Sequence, residues 1–161
     1  MLKNPSHLFA LDALLAVYPD ALVIQTHRDP GTAIASVCSL AAQASAGWSE
    51  VFAGDVIGRD QLELWASGLE RFRAERARHD HATFFDVRYE DLVADPVGTA
   101  EAAYAYFGLP FTGAAGDAMR ALSADRGAAG VRPAHQYTLR DFGLHEEEVG
   151  ARFSGLTAEL R

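Results

Sequence analysis

Leu22-Val23-Ile24-Gln25-Thr26-His27-Arg28-Asp29-Pro30, followed eight residues after the arginine by Ser36, decides how this chain folds. Leu22 to Ile24 form a short apolar run of the kind found in a strand covered on both faces. Asp29 is a good N-cap and Pro30 suits the first helical position, so strand gives way to helix at Arg28. In an open α/β sheet, ligands bind at the carboxyl ends of the strands. A helix N-terminus there offers backbone N–H groups and a positive dipole end to an anion. Arg28 adds a planar fork suited to phosphate, and Ser36, about two helical turns on, adds a hydroxyl. The stretch reads as a phosphate-binding corner.

Composition bounds the rest. A chain of 161 residues buries about 70% of its unfolded surface, enough for one core. Apolar residues make up 49%, yet no run approaches the ~20 that a membrane span needs, and no basic-then-apolar N-terminal segment suggests secretion. A cytoplasmic protein with no integral membrane segment is expected. The single cysteine, Cys38, excludes an internal disulfide and lies on the apolar side of the helix after Arg28, as a small core residue. A net charge of −8 argues against a broad nucleic-acid surface. An acidic chain that binds an anionic ligand must use a few focused basic groups, and Lys3 and Arg28 fit that requirement.

Helix and strand alternate along the chain. The spacing of Leu8, Leu11, Leu14 and Leu15 predicts a helix from Pro5 to about Val17. A strand at Leu22 to Thr26 and a helix from Pro30 to about Ala46 follow. Gly47 to Ile57 reads as a loop or broken helix. Leu62, Trp65, Leu69 and Phe72 predict an amphipathic helix from Arg59 to about Arg78, whose charge run is a solvated face. His79-Asp80-His81 has too few neighbours for a metal site and reads as a polar turn. Thr83 to Val87 is the next strand, and Asp95-Pro96 opens another helix that ends near Gly108. Gly113 to Gly130 reads as one helix with flexible flanks, and Leu144 to Leu160 as a terminal helix. Nothing marks a domain boundary, so residues 1–161 read as a single domain.

Taken together, Lys3-Asn4-Pro5-Ser6-His7-Leu8, Tyr18-Pro19-Asp20-Ala21, His27-Arg28-Asp29-Pro30 through Ser36, and Arg88-Tyr89-Glu90-Asp91-Leu92 with Asp95-Pro96 resemble the sulfotransferase family. The likeness is to its bacterial branch that uses 3'-phosphoadenosine-5'-phosphosulfate, and it covers roughly residues 2 to 153. It implies an α/β fold, a P-loop-NTPase-like parallel sheet flanked by helices. It also implies transfer of a sulfuryl group to a hydroxyl or amine on a small-molecule, lipid or glycan acceptor, with no metal. The family's upstream strand–loop–helix, whose Gly-Ser/Thr-rich loop binds the 5'-phosphosulfate, has no counterpart before Lys3. Lys3-Asn4-Pro5 repeats the basic residue, cap and proline of Arg28-Asp29-Pro30, so a strand is expected at residues 1–2. The N-terminal βα unit is therefore expected to be missing, with an exposed sheet edge that favours self-association.

The resemblance also implies roles for single residues. Arg28 and Ser36 match the pair that holds the nucleotide's 3'-phosphate, against a structural ion pair and a surface serine. Tyr89 matches a tyrosine near the adenine, against a core tyrosine. Lys3 matches a lysine that offsets charge on the leaving phosphate, against a frayed terminal lysine. His7 stands in for the histidine that takes the acceptor's proton, against a helix-capping or structural histidine, since its four-residue spacing from Lys3 departs from the two residues of cytosolic relatives. Arg132 matches a basic loop over the 3'-phosphate, against a loop-surface arginine. Glu90 and Asp91 read as caps of the following turn. An inactive nucleotide-binding or interaction fragment is the alternative function. A P-loop kinase relative fails for want of a Gly-Lys-Ser/Thr loop.

Overall fold

The computed structural model describes residues 2–128 and 137–157, with the backbone alone for residues 125–128. Two strands form the sheet: β1, Val23–His27, and β2, Phe84–Arg88. They run parallel, with Val23 opposite Phe84 and His27 opposite Arg88. A parallel pair needs a long crossover, and here the chain between the strands supplies helices α2, Pro30–Ser45, and α3, Gly54–Arg76. The α/β architecture expected from the sequence is present, with both strands displaced by a single residue from their expected bounds.

The chain divides into two compact units. One comprises residues 2–19, 29–78 and 137–157 and is helical. It opens with a 3-10 helix at Pro5–Phe9 and continues with α1, Leu11–Val17. The single helix expected over this span is broken at Ala10, whose φ of −150° leaves helical space. α2 and α3 pack together and against a 3-10 helix at Leu139–Phe142. Ile34, Cys38, Ile57, Leu62, Phe142 and Leu144 belong to that core. Gly58 admits this packing, because a Cβ there would run into the Phe142 carbonyl. The expected terminal helix is shorter: Gly143 at φ +66° ends the 3-10 helix, and helix Glu146–Phe153 follows.

The other unit comprises residues 20–28 and 79–128 and holds the sheet. β2 leads directly into α4, Tyr89–Ala94, and then into α5, Pro96–Tyr106, and α6, Gly113–Ala128. With these in chain order, Glu146–Phe153 is α7. Phe84 and Val87 are buried, and Phe85 packs its ring against Tyr106 and Phe107 at 5.2 and 6.2 Å. β1 departs from expectation. Its burial alternates, and Leu22 and Ile24 are 48% and 53% exposed, so in this chain it is covered on one face only. The apolar run that suggested two covered faces is one inward valine between two outward residues. Leu2 lies outside any strand, so no third strand forms there, and Met1 lies outside the described residues.

Candidate functional site

Arg28 takes its place from the strand register. β1 and β2 pair as far as His27 and Arg88, so the next residues, Arg28 and Tyr89, leave the sheet side by side. The guanidinium carbon of Arg28 lies 4.3 Å from the centre of the Tyr89 ring, within cation–π range. Tyr89 is half-exposed and begins α4. No carboxylate among the described residues of that unit pairs with Arg28. By contrast, Arg59, Arg71, Arg120 and Arg152 each meet an acidic partner at 2.5–3.1 Å. The N–H donors of Arg28 thus remain free within its unit for an anion.

One residue back, His27 Nε2 lies 2.7 Å from Asp86 Oδ1. A carboxylate only accepts, so the imidazole donates from Nε2. Parallel pairing puts both side chains on one face of the sheet, and the bond fixes the two strands at the end where Arg28 and Tyr89 emerge. The sequence reading missed this pair. Its signal was the alternation of β1 and β2 combined with a register that only the fold reveals.

Asp29 caps α2 as expected, accepting from the Thr32 N–H and hydroxyl, each at 2.7 Å. The same cap-and-proline logic recurs at Asn4, which accepts from the Ser6 N–H at 3.0 Å, and at Asp95, which accepts from the Gly98 N–H at 2.9 Å. At α2 the cap qualifies the phosphate-corner reading. Asp29 already occupies the Thr32 N–H, and the Glu146 carboxylate lies against Gly31. The first turn of α2 therefore carries negative charge of its own, which offsets the positive end of its dipole.

The other expected site residues lie in the helical unit or outside the described chain. Ser36 is half-buried on α2. Lys3 is exposed and precedes the Asn4 cap, while His7 sits within the 3-10 helix. Lys3 lies outside that helix, so the two do not share a helix face. Arg132 lies outside the described residues. Glu90 and Asp91 fall within the first turn of α4, where acidic groups favour the helix dipole; the residue at its cap position, Arg88, makes no side-chain cap hydrogen bond. Cys38 is fully buried, and burial pushes its thiol up to about 11, which fits a core residue. Among the described residues, no cluster of three or more His, Cys, Asp or Glu is arranged to hold a metal ion. No helix among them is long and apolar enough to cross a membrane.

Residues 1–113 match the sequence model of the sulfotransferase family. The chain belongs to this family. Two relatives are the omega-hydroxy-beta-dihydromenaquinone-9 sulfotransferases Stf3 of Mycobacterium bovis and Mycobacterium tuberculosis. Each is 32% identical over 114 residues, covering 68% of this chain and 28% of its own length. Solved structures agree. Sulfotransferase STF1 from Mycobacterium tuberculosis superposes with a TM-score of 0.82 at 51% identity, over 96% of this chain and 39% of its own. Sulfotransferase STF9 from Mycobacterium avium gives 0.86 at 28% identity, over 99% and 41%. The chain thus spans 28% of the length of the curated relatives it matches.

Proposed function

We propose that this chain carries the nucleotide corner of a sulfotransferase that uses 3'-phosphoadenosine-5'-phosphosulfate, and that its two units belong to one sulfotransferase-like domain. The observation that carries the reading is Arg28, held at the carboxyl end of β1 on the Tyr89 ring with its donors uncommitted within its unit. Such a fork recognises a phosphate bidentately. Ser36 is the proposed second ligand of the 3'-phosphate and Arg132 the proposed cover.

In the transfer, an acceptor oxygen or nitrogen forms a bond to sulfur while the bond from sulfur to the bridging phosphate oxygen breaks. The electron pair stays on the phosphate, and the acceptor gives up its proton. Lys3 is the proposed cation that offsets the charge on the leaving phosphate, and His7 the proposed base. The Stf3 relatives, named for an omega-hydroxy-beta-dihydromenaquinone-9, point to a hydroxyl on a lipid as one acceptor class.

A second reading is nucleotide binding alone. In that reading the chain binds the nucleotide without turning it over. Equilibrium dialysis with sulfur-labelled donor, followed by incubation with a long-chain primary alcohol, a phenol and an amine, separates the two. Label retained by the protein and then transferred supports the enzyme. Label retained, displaced by 3'-phosphoadenosine-5'-phosphate and never transferred supports the binding fragment. No retained label refutes both.

A further inference from the structure

We propose that Tyr89 is a positioning residue that acts through Arg28 and sets the preference for a 3'-phosphate. The proposal rests on the reading of Arg28 as the phosphate ligand and goes one step beyond it. Three observations converge. The parallel register ends at His27 and Arg88, so residues 28 and 89 are obligatory neighbours wherever the two strands pair. The guanidinium of Arg28 occupies one face of the Tyr89 ring at 4.3 Å. Tyr89 itself is anchored, since it is the first residue of α4, and β2 behind it is fixed by the buried Phe84 and Val87.

An exposed arginine has many rotamers, and ordering it on a ligand costs side-chain entropy. The ring removes much of that freedom before the ligand arrives. It holds the cation by its charge and takes none of its hydrogen-bond donors, which an acidic partner such as those of Arg71 or Arg152 would consume. Tyr89 therefore preorganises a fork that stays available. The His27–Asp86 bond, from the residue before Arg28 to the third residue before Tyr89, ties together the two strands that carry them.

The consequence is selective. An exposed cation–π contact corresponds to about a two- to fivefold change in binding, and it applies only to ligands that carry the phosphate Arg28 holds. Tyr89→Leu should weaken 3'-phosphoadenosine-5'-phosphate by about that factor more than it weakens adenosine 5'-phosphate. Tyr89→Phe, which keeps the ring face, should restore the preference. In an Arg28→Ala background, Tyr89→Leu should have no further effect.

Proton NMR of the ligand-free chain gives a readout that needs no nucleotide. The Arg28 side-chain protons should be shielded by the ring in the native chain and in Tyr89→Phe, and lose that shift in Tyr89→Leu. Equal weakening of both nucleotides in Tyr89→Leu would assign the ring to the base and overturn the proposal. Unshifted Arg28 resonances in the native chain would overturn it as well. If the shielding is present but Arg28→Ala leaves the nucleotide preference intact, the phosphate role of Arg28 fails instead, and the proposed role of Tyr89 falls with it.

Discussion

Replacing Gly58 with alanine should destabilise the helical unit, against the usual preference of helices for alanine. Gly58 is buried in α3, facing the carbonyl at the end of the Leu139–Phe142 3-10 helix. A Cβ there would fall well inside 3.0 Å of the Phe142 carbonyl oxygen, 3.1 Å from its carbon and 3.1 Å from Leu144 Cγ. The obstructing group is backbone, so no rotamer change relieves it and the two elements must separate. Overpacking of this kind costs about 1–3 kcal/mol, and backbone contact favours the upper end. Alanine returns up to about 1 kcal/mol of helix propensity. The net loss is about 2 kcal/mol, or roughly 4–8 °C in the melting temperature of a chain this size.

Gly150 provides the control. It is exposed in α7, and a Cβ there meets nothing within 4 Å. Gly150→Ala should therefore stabilise by about 0.5–1 kcal/mol. Thermal unfolding of both variants by circular dichroism compares the signs. A Gly58→Ala chain as stable as the native one would refute the packing of α3 against the C-terminal 3-10 helix.

Two further outcomes follow from buried titratable groups in the same unit. The Glu75 carboxylate accepts from Arg71 Nε at 2.7 Å and from the Asp12 N–H at 3.1 Å. The Arg71 hydrogen bond, reinforced by that N–H, outweighs burial and holds its acidity below the usual carboxylate value. A depressed carboxylate stabilises fully above its unfolded pKa of about 4.3 and loses that contribution as pH falls through the folded value. Glu75→Gln should thus cost about 1–2 kcal/mol at neutral pH, with the gap from the native chain closing below about pH 4; a gap independent of pH in urea titrations would count against it. Cys38, fully buried with its thiol pushed up to about 11, should resist iodoacetamide at pH 8 while folded and react on unfolding. Rapid labelling of the native chain would show that α2 does not seat it in the core.

The parts of the structure written in local chemistry were readable from the residues. Asp29-Pro30, Asn4-Pro5 and Asp95-Pro96 each combine a capping side chain with a proline at the first helical position, and each starts a helix where expected. β1 and β2 were legible because each opens on apolar residues, Val23-Ile24 and Phe84-Phe85. The break at Ala10 was not, since alanine is the strongest helix former and the leucine spacing runs straight through it. α3 begins five residues before Arg59, at Gly54, whose φ of +52° turns the chain into the helix. The capping box of Thr138 and Asp141, with the Thr138 N–H donating to Asp141 at 2.7 Å, marks a 3-10 helix that the tail's composition hid. Of the candidate site, Arg28 and Tyr89 were legible as separate residues. Their contact depends on strand register, which two short strands far apart in sequence do not declare.

The central claim, that Arg28 is a phosphate ligand, is tested most directly by titration calorimetry of the native chain and Arg28→Ala. Each is titrated with 3'-phosphoadenosine-5'-phosphate and with adenosine 5'-phosphate. The native chain should prefer the first nucleotide. Arg28→Ala should lose roughly 10- to 150-fold of that preference, the worth of a charge-assisted contact of about 1.5–3 kcal/mol. Equal affinity of the native chain for both nucleotides, or an undiminished preference in Arg28→Ala, would contradict the account.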